Sequence, residues 1–167
     1  LIAGAKSSGK TGFLYRTAEM NMNHLNVVLL SNMEGGAEQM KDRFLAMGID
    51  LATAPLKVYP AVENHHHFMK FQDSLYIIDY IDCPETGEFY LIAGKISRIT
   101  KKLKTLGKSV AIIGLQKPPG RDLAYGGATT LKDTTLYLAM DKKKLKIVDC
   151  KVPVQEFSPN NMTWRFK

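Results

Sequence analysis

Gly4, Ala5, Lys6, Ser7, Ser8, Gly9, Lys10 and Thr11 fit the spacing G-x-x-x-x-G-K-[ST] at every fixed position. Each residue type has a task in holding a polyphosphate. The glycines allow backbone angles that turn successive N–H groups toward one anion. A helix opening at Lys10 adds the positive end of its dipole. Lys10 can reach the β- and γ-phosphates, and the Thr11 hydroxyl suits Mg²⁺. At average residue frequencies such a match arises by accident in about one chain of this length in two hundred. The spacing therefore points to a triphosphate with Mg²⁺ as the ligand pair.

Hydrolysis needs more: a carboxylate linked to the metal and a group that orients water. Asp79 ends the apolar run LYIID, placed to hold Mg²⁺ through a water molecule, while Asp82 follows three residues on and is less suited to face the metal. Glu34 follows the run VVLLS. A carboxylate emerging there can polarise the attacking water. The same position suits a helix-start acid stabilised by the dipole, and chemistry alone leaves both readings open. Gln116 ends SVAIIGLQ, where an amide can sense the γ-phosphate or simply finish a strand. The candidate catalytic set is thus Glu34, Lys10 and Gln116, with Thr11 and Asp79 toward the metal.

Alternating strands and helices must position these groups. LIAG reads as a strand end before the glycine loop, and a helix is expected from about Lys10 to Met22. HLNVVLLS, SLYIIDYID and SVAIIGLQ are continuous apolar runs of strand length, the signature of strands buried on both faces. Met40, Phe44 and Met47 recur at helical spacing before Gly48, and Ile92, Ile96, Ile99 and Leu103 do so within a basic helix expected from about Glu88 to Leu106. PLKVYP is a short strand, and PPGRDLAYGGATTLKD a Gly- and Pro-rich loop. TTLYLAMD, KKLKIVDCKV, VQEF and MTWRFK read as closing strands, the first two joined by a tight turn at Lys142 and Lys143. The fold class is three-layer α/β, with a mainly parallel central sheet and antiparallel strands at the C-terminal end.

Composition sets the outer bounds. The 167 residues suit a single domain over 1–167, and 45% hydrophobic with 23% charged is ordinary for a globular protein. Leu1 stands close before the motif, so the chain is expected to be a piece of, or trimmed from, something longer. Neither a membrane span nor a secretory leader is evident. Cys83 and Cys150 make no disulfide framework, which fits the cytoplasm. The net charge of +7 suits a polyanionic partner, nucleic acid before membrane surface. His65, His66 and His67 are expected in a loop without metal-binding spacing. Lys101, Lys102, Lys104 and Lys108 suit a helix C-terminus, and Lys142, Lys143 and Lys144 a solvated turn.

Taken together, these stretches resemble the RecA-like P-loop ATPases, in particular the C-terminal motor domain of DnaB-type replicative DNA helicases. GAKSSGKT resembles the family's phosphate loop, and SNMEGGAEQMKDR its glutamate-containing stretch, with Glu34 at the catalytic position followed by Glu38 and Gln39. LYIIDYID resembles the Walker B strand, ISRITKKLKTLGKSVAIIGLQ the segment leading to the sensor glutamine, Asp133 with LYLAMD the segment after the DNA-facing loop, and FSPNNMTWRF the closing strands. The resemblance covers essentially the whole chain. It implies ATP hydrolysis coupled to DNA, a homo-oligomeric ring or filament, and single-stranded DNA contacts in the loop carrying Lys117, Arg121 and Tyr125, where cations and an aromatic suit phosphates and bases. One departure stands out. The family's Lys-x-Arg pair, reaching into a neighbouring subunit, is matched at Lys151, but Pro153 stands where the arginine is expected; Arg165 is a substitute or a solvated strand charge. An arginine finger supplies about 10³-fold or more in rate. The alternative expectation is therefore a nucleotide-binding regulatory module with slow or no hydrolysis. A small-molecule phosphotransferase would need an arginine-rich lid, and Arg16, Arg43, Arg98, Arg121 and Arg165 are too scattered to form one.

Overall fold

The apolar runs become the middle of one eight-stranded sheet. In the computed structural model, which describes residues 1–82, 87–154 and 156–166, the strands are β1 Ile2–Gly4, β2 Asn26–Ser31, β3 Leu56–Pro60, β4 Ser74–Ile81, β5 Val110–Gln116, β6 Leu136–Asp141, β7 Lys144–Cys150 and β8 Thr163–Arg165. Cys83 and Gln155 lie outside the described residues. The strand order is β3-β2-β4-β5-β1-β6-β7-β8. Neighbours from β3 to β6 run parallel, and β7 pairs antiparallel with both β6 and β8. Lys142 and Lys143 form the tight turn between β6 and β7, with Lys143 at φ 59.

Helices close both faces: α1 Lys10–Asn21, α2 Gly36–Ala46, α3 His65–Phe68 and α4 Leu91–Leu103. Side chains alternate along each strand. Val27 and Leu29 of β2, with Leu75 and Ile77 of β4, cluster with Leu14, Tyr15 and Ala18 of α1 and Met40 and Phe44 of α2. The Tyr15 and Phe44 rings stack with centroids 4.6 Å apart, fixing α1 against α2. Val28, Leu30, Tyr76 and Ile78 face the other way, onto Ile92, Ile96 and Ile99 of α4. The chain is thus a three-layer α/β structure. All eight residues of β4 are buried, as the unbroken apolar run requires.

Three expectations need correction. His65, His66 and His67 are not loop residues but form the short helix α3, with His65 only 2% exposed. Helix α4 is shorter than the expected 88–106 span; Leu106 falls in a turn closed by its N–H donating to the Leu103 carbonyl at 2.9 Å. Among the described residues of VQEF none is in a strand: Val154, Glu156 and Phe157 lie in irregular backbone. Pro153 removes a ladder donor just before it. Val154 and Phe157 are also solvent-exposed, so neither face of the segment is buried to hold it in register.

Candidate functional site

Parallel strands deliver their carboxyl ends to one edge of a sheet, where open α/β sheets gather their ligands. Here β1 ends at Gly4, β2 at Ser31, β5 at Gln116, and Asp79 lies near the end of β4. Register puts Gly4 beside Gln116 and Ser31 beside Asp79. The pairing of β4 with β5 shifts between Ile78 and Ile81, where the Asp79–Tyr80 peptide bond is cis.

The glycine loop turns sharply between β1 and α1. The Ser8 N–H donates to the Ala5 carbonyl at 3.1 Å, Ser7 takes φ 60 and Gly9 takes φ 94. At Gly4 a Cβ would lie 2.6 Å from Ser8 Oγ and 3.1 Å from Lys10 Cβ, so the crossing needs glycine. No side chain caps α1, and its first turn carries no acidic residue. Its leading N–H groups are therefore left for another acceptor. Ser8 Oγ is also buried without a hydrogen-bond partner. A buried hydroxyl in that state costs free energy, which a ligand acceptor would offset.

Lys10 and Asp79 are both buried, at 7% and 4% exposure. The Thr11 hydroxyl donates to Asp79 Oδ1 at 3.2 Å, joining the loop to β4 across the intervening β5. Lys10 Nζ sits 4.0 Å from the centroid of the Tyr80 ring. Burial lowers the Lys10 pKa, opposed by the negative charges of Asp79, Glu34 and Asp82. Burial likewise raises the Asp79 pKa, opposed by Lys10, Thr11 and Arg43. Each charge is held in a poorly solvated place, and a polyphosphate with a divalent cation would compensate both. The residues present therefore fit ATP and Mg²⁺, with Thr11 and Asp79 toward the metal. Among the described residues, no group of three or more His, Cys, Asp and Glu side chains is placed to hold a metal unaided.

Glu34 is exposed on the turn before α2. That turn is built by Met33 at φ 51 and Gly35 at φ 85, and tied to β4 by the Asn32 N–H donating to the Asp79 carbonyl at 3.0 Å. Asn32 Oδ1 accepts the Glu34 N–H at 3.2 Å. Gln116 is half-buried at the end of β5. The side chains of Asn32 and Gln116 lie near the Tyr80 hydroxyl and hold its pKa down, although burial raises it overall. Tyr80 and Asn32 escape a reading by spacing. Nothing in LYIIDYI separates Tyr80 from Tyr76, whose hydroxyl donates to the Phe71 carbonyl at 2.7 Å and has a purely structural task. Arg43, whose charge acts on Asp79, is likewise hidden in the polar face of α2.

Lys117, Arg121 and Tyr125 have different surroundings in the loop after β5. The Lys117 side chain is fully buried, with Nζ 2.6 Å from Asp141 Oδ1 and donating to the Arg121 carbonyl at 2.6 Å. Tyr125 stacks on Phe89 with ring centroids 4.7 Å apart. In this arrangement Arg121 is the exposed member of the three. Lys151 Nζ donates to the carbonyls of Leu131 and Lys132, and Arg165 lies exposed on β8 at the far edge of the sheet. A hollow of about 250 Å³, lined by Thr17, Leu25, Ser74, Lys108, Val110 and Ile112 among others, lies where β4 and β5 begin and contains none of the site residues. Compared with protein-family models and with curated proteins, the chain matches none.

Proposed function

We propose that this chain is a RecA-like P-loop domain that binds ATP with Mg²⁺ and hydrolyses it, coupled to single-stranded DNA as in helicase-like or recombinase-like motors. One observation carries the reading: a buried lysine follows a glycine-shaped loop at an uncapped helix end, and the next residue's hydroxyl touches a buried aspartate. The uncapped N–H groups at the start of α1 and those of the loop leading into it cradle the phosphates, and Lys10 neutralises charge developing on the γ-phosphoryl group. Thr11 and Asp79 would hold Mg²⁺, which would supply further charge neutralisation. Glu34, exposed beside the loop, accepts a proton from the attacking water. Gln116, level with Gly4 in the sheet, reports the γ-phosphate to the loop beyond β5.

A second reading, a nucleotide-binding regulatory module with slow or no hydrolysis, is favoured by Pro153 in exposed irregular backbone where a motor would carry its arginine finger. A DNA-stimulated ATPase assay separates the two. The motor reading expects turnover that rises with single-stranded DNA and falls about 100-fold or more in Lys10→Ala and Glu34→Gln. Tight ATP binding with negligible turnover, with or without DNA, selects the module. Turnover unaffected by either substitution contradicts the assigned roles.

A further inference from the structure

We propose that Tyr80 is a positioning residue, whose ring seats the Lys10 ammonium before nucleotide arrives and whose hydroxyl holds the Glu34 turn and Gln116 in register. The proposal rests on the ATP reading above and adds to it a route by which phosphate binding reaches the water-activating side of the site. Lys10 Nζ lies 4.0 Å from the ring centroid, well within cation–π range. Tyr80 is itself 6% exposed and held within β4, so its ring is a fixed seat. Its hydroxyl lies beside the side chains of Asn32 and Gln116, which it is placed to hold. Asn32 in turn accepts the Glu34 N–H at 3.2 Å, leaving one side chain between the Tyr80 hydroxyl and the Glu34 backbone. Gln116 is the register partner of Gly4, so the second branch returns to the phosphate loop.

A γ-phosphate contacted by Lys10 competes with the ring for the ammonium. Nucleotide binding therefore weakens the contact with the ring, an interaction strongest in the empty state. The hydroxyl's two amide partners stay in place and hold Glu34 and Gln116 for the reacting state. The two halves of the side chain thus have separable tasks. Removing the ring removes a competitor of the phosphate; removing the hydroxyl alone loosens the Glu34 turn without touching Lys10.

The test uses the full chain, titrated with a fluorescent N-methylanthraniloyl ATP and Mg²⁺ and assayed for turnover with single-stranded DNA. Tyr80→Phe keeps the ring: its nucleotide Kd should stay within about twofold of the parent while kcat falls about tenfold, equivalent to one charge-independent hydrogen bond. Tyr80→Leu removes the ring: its nucleotide Kd should tighten about fivefold, a change read whether turnover is fast or slow. A loss of packing would weaken binding instead, so the direction separates positioning from mere structure. Melting curves establish that each variant folds, and Tyr80→Phe carries the test if the leucine variant does not. An unchanged or weakened Kd in folded Tyr80→Leu, or an unchanged kcat in Tyr80→Phe, overturns the proposal. If the parent and Lys10→Ala bind the probe equally, or neither binds, the ATP reading itself fails and this proposal with it.

Discussion

Lys10 and Asp79 show what a buried charge costs. Burial raises the Asp79 pKa despite the nearby Lys10, Thr11 and Arg43, so the protonated form is favoured in the fold more than in the unfolded chain. Its ionised form therefore weakens the fold at neutral pH, and that cost is relieved as pH falls through the raised value. Asp79→Asn should accordingly melt no lower than the parent, while Mg²⁺-dependent turnover falls about 100-fold or more; a large drop in melting temperature would contradict this. His65 runs the opposite way. Burial and then Lys95 push its pKa from 6.5 down to about 4, so the neutral ring is favoured in the fold. Stability should be lost as pH falls from 6.5 toward 4, and His65→Gln should flatten that part of the melting-temperature profile. That the glycine loop, Lys10, Thr11 and Asp79 come together was legible in the sequence, because the motif's spacing and the strand-end aspartate mark those positions. Tyr80, Asn32 and the burial of Lys117 were not, because their roles arise from contacts between segments distant in the chain.

Two short connections decide whether those groups meet. The phosphate loop depends on the close crossing at Gly4, where Gly4→Ala would drive a methyl to 2.6 Å from Ser8 Oγ. Gly4→Ala should lose nucleotide affinity about tenfold or more, measured by titration, while the sheet's circular dichroism is retained. The connection after β5 depends on Lys117, which binds Asp141 and the Arg121 carbonyl together. Lys117→Met should lower stability by about 2 kcal/mol and speed proteolysis of the 117–126 segment; unchanged cleavage would show the segment held by other contacts, such as Tyr125 on Phe89. The apolar runs of β2, β4 and β5 could be read directly, since strands covered on both faces need unbroken hydrophobic sequence. The VQEF segment and α3 could not. A run of four residues carries too little periodicity, and Pro153 or the burial of His65 outweighs local preference.

At the scale of the molecule, one sheet sandwiched by helices sets Gly4, Asp79, Glu34 and Gln116 around its carboxyl edge. Among the described residues no helix is long and apolar enough to cross a membrane. The net charge of +7 suits a polyanionic partner, and Arg121 is the exposed residue among the three proposed for DNA contact in the loop beyond Gln116. If that loop contacts single-stranded DNA, raising salt from about 50 to 200 mM should weaken binding about tenfold, and Arg121→Ala should flatten the salt dependence. Mass in solution with ATP and DNA would test whether a ring or filament forms. The central claim, however, is local: the Gly4–Thr11 loop holds a triphosphate. It is tested most directly by a crystal structure with a nonhydrolysable ATP analogue and Mg²⁺. The account predicts phosphates against the loop N–H groups, Mg²⁺ beside Thr11 and Asp79, and Lys10 Nζ drawn away from the Tyr80 ring. Nucleotide bound elsewhere, or a loop left empty at saturating analogue with Lys10 still over Tyr80, would contradict it.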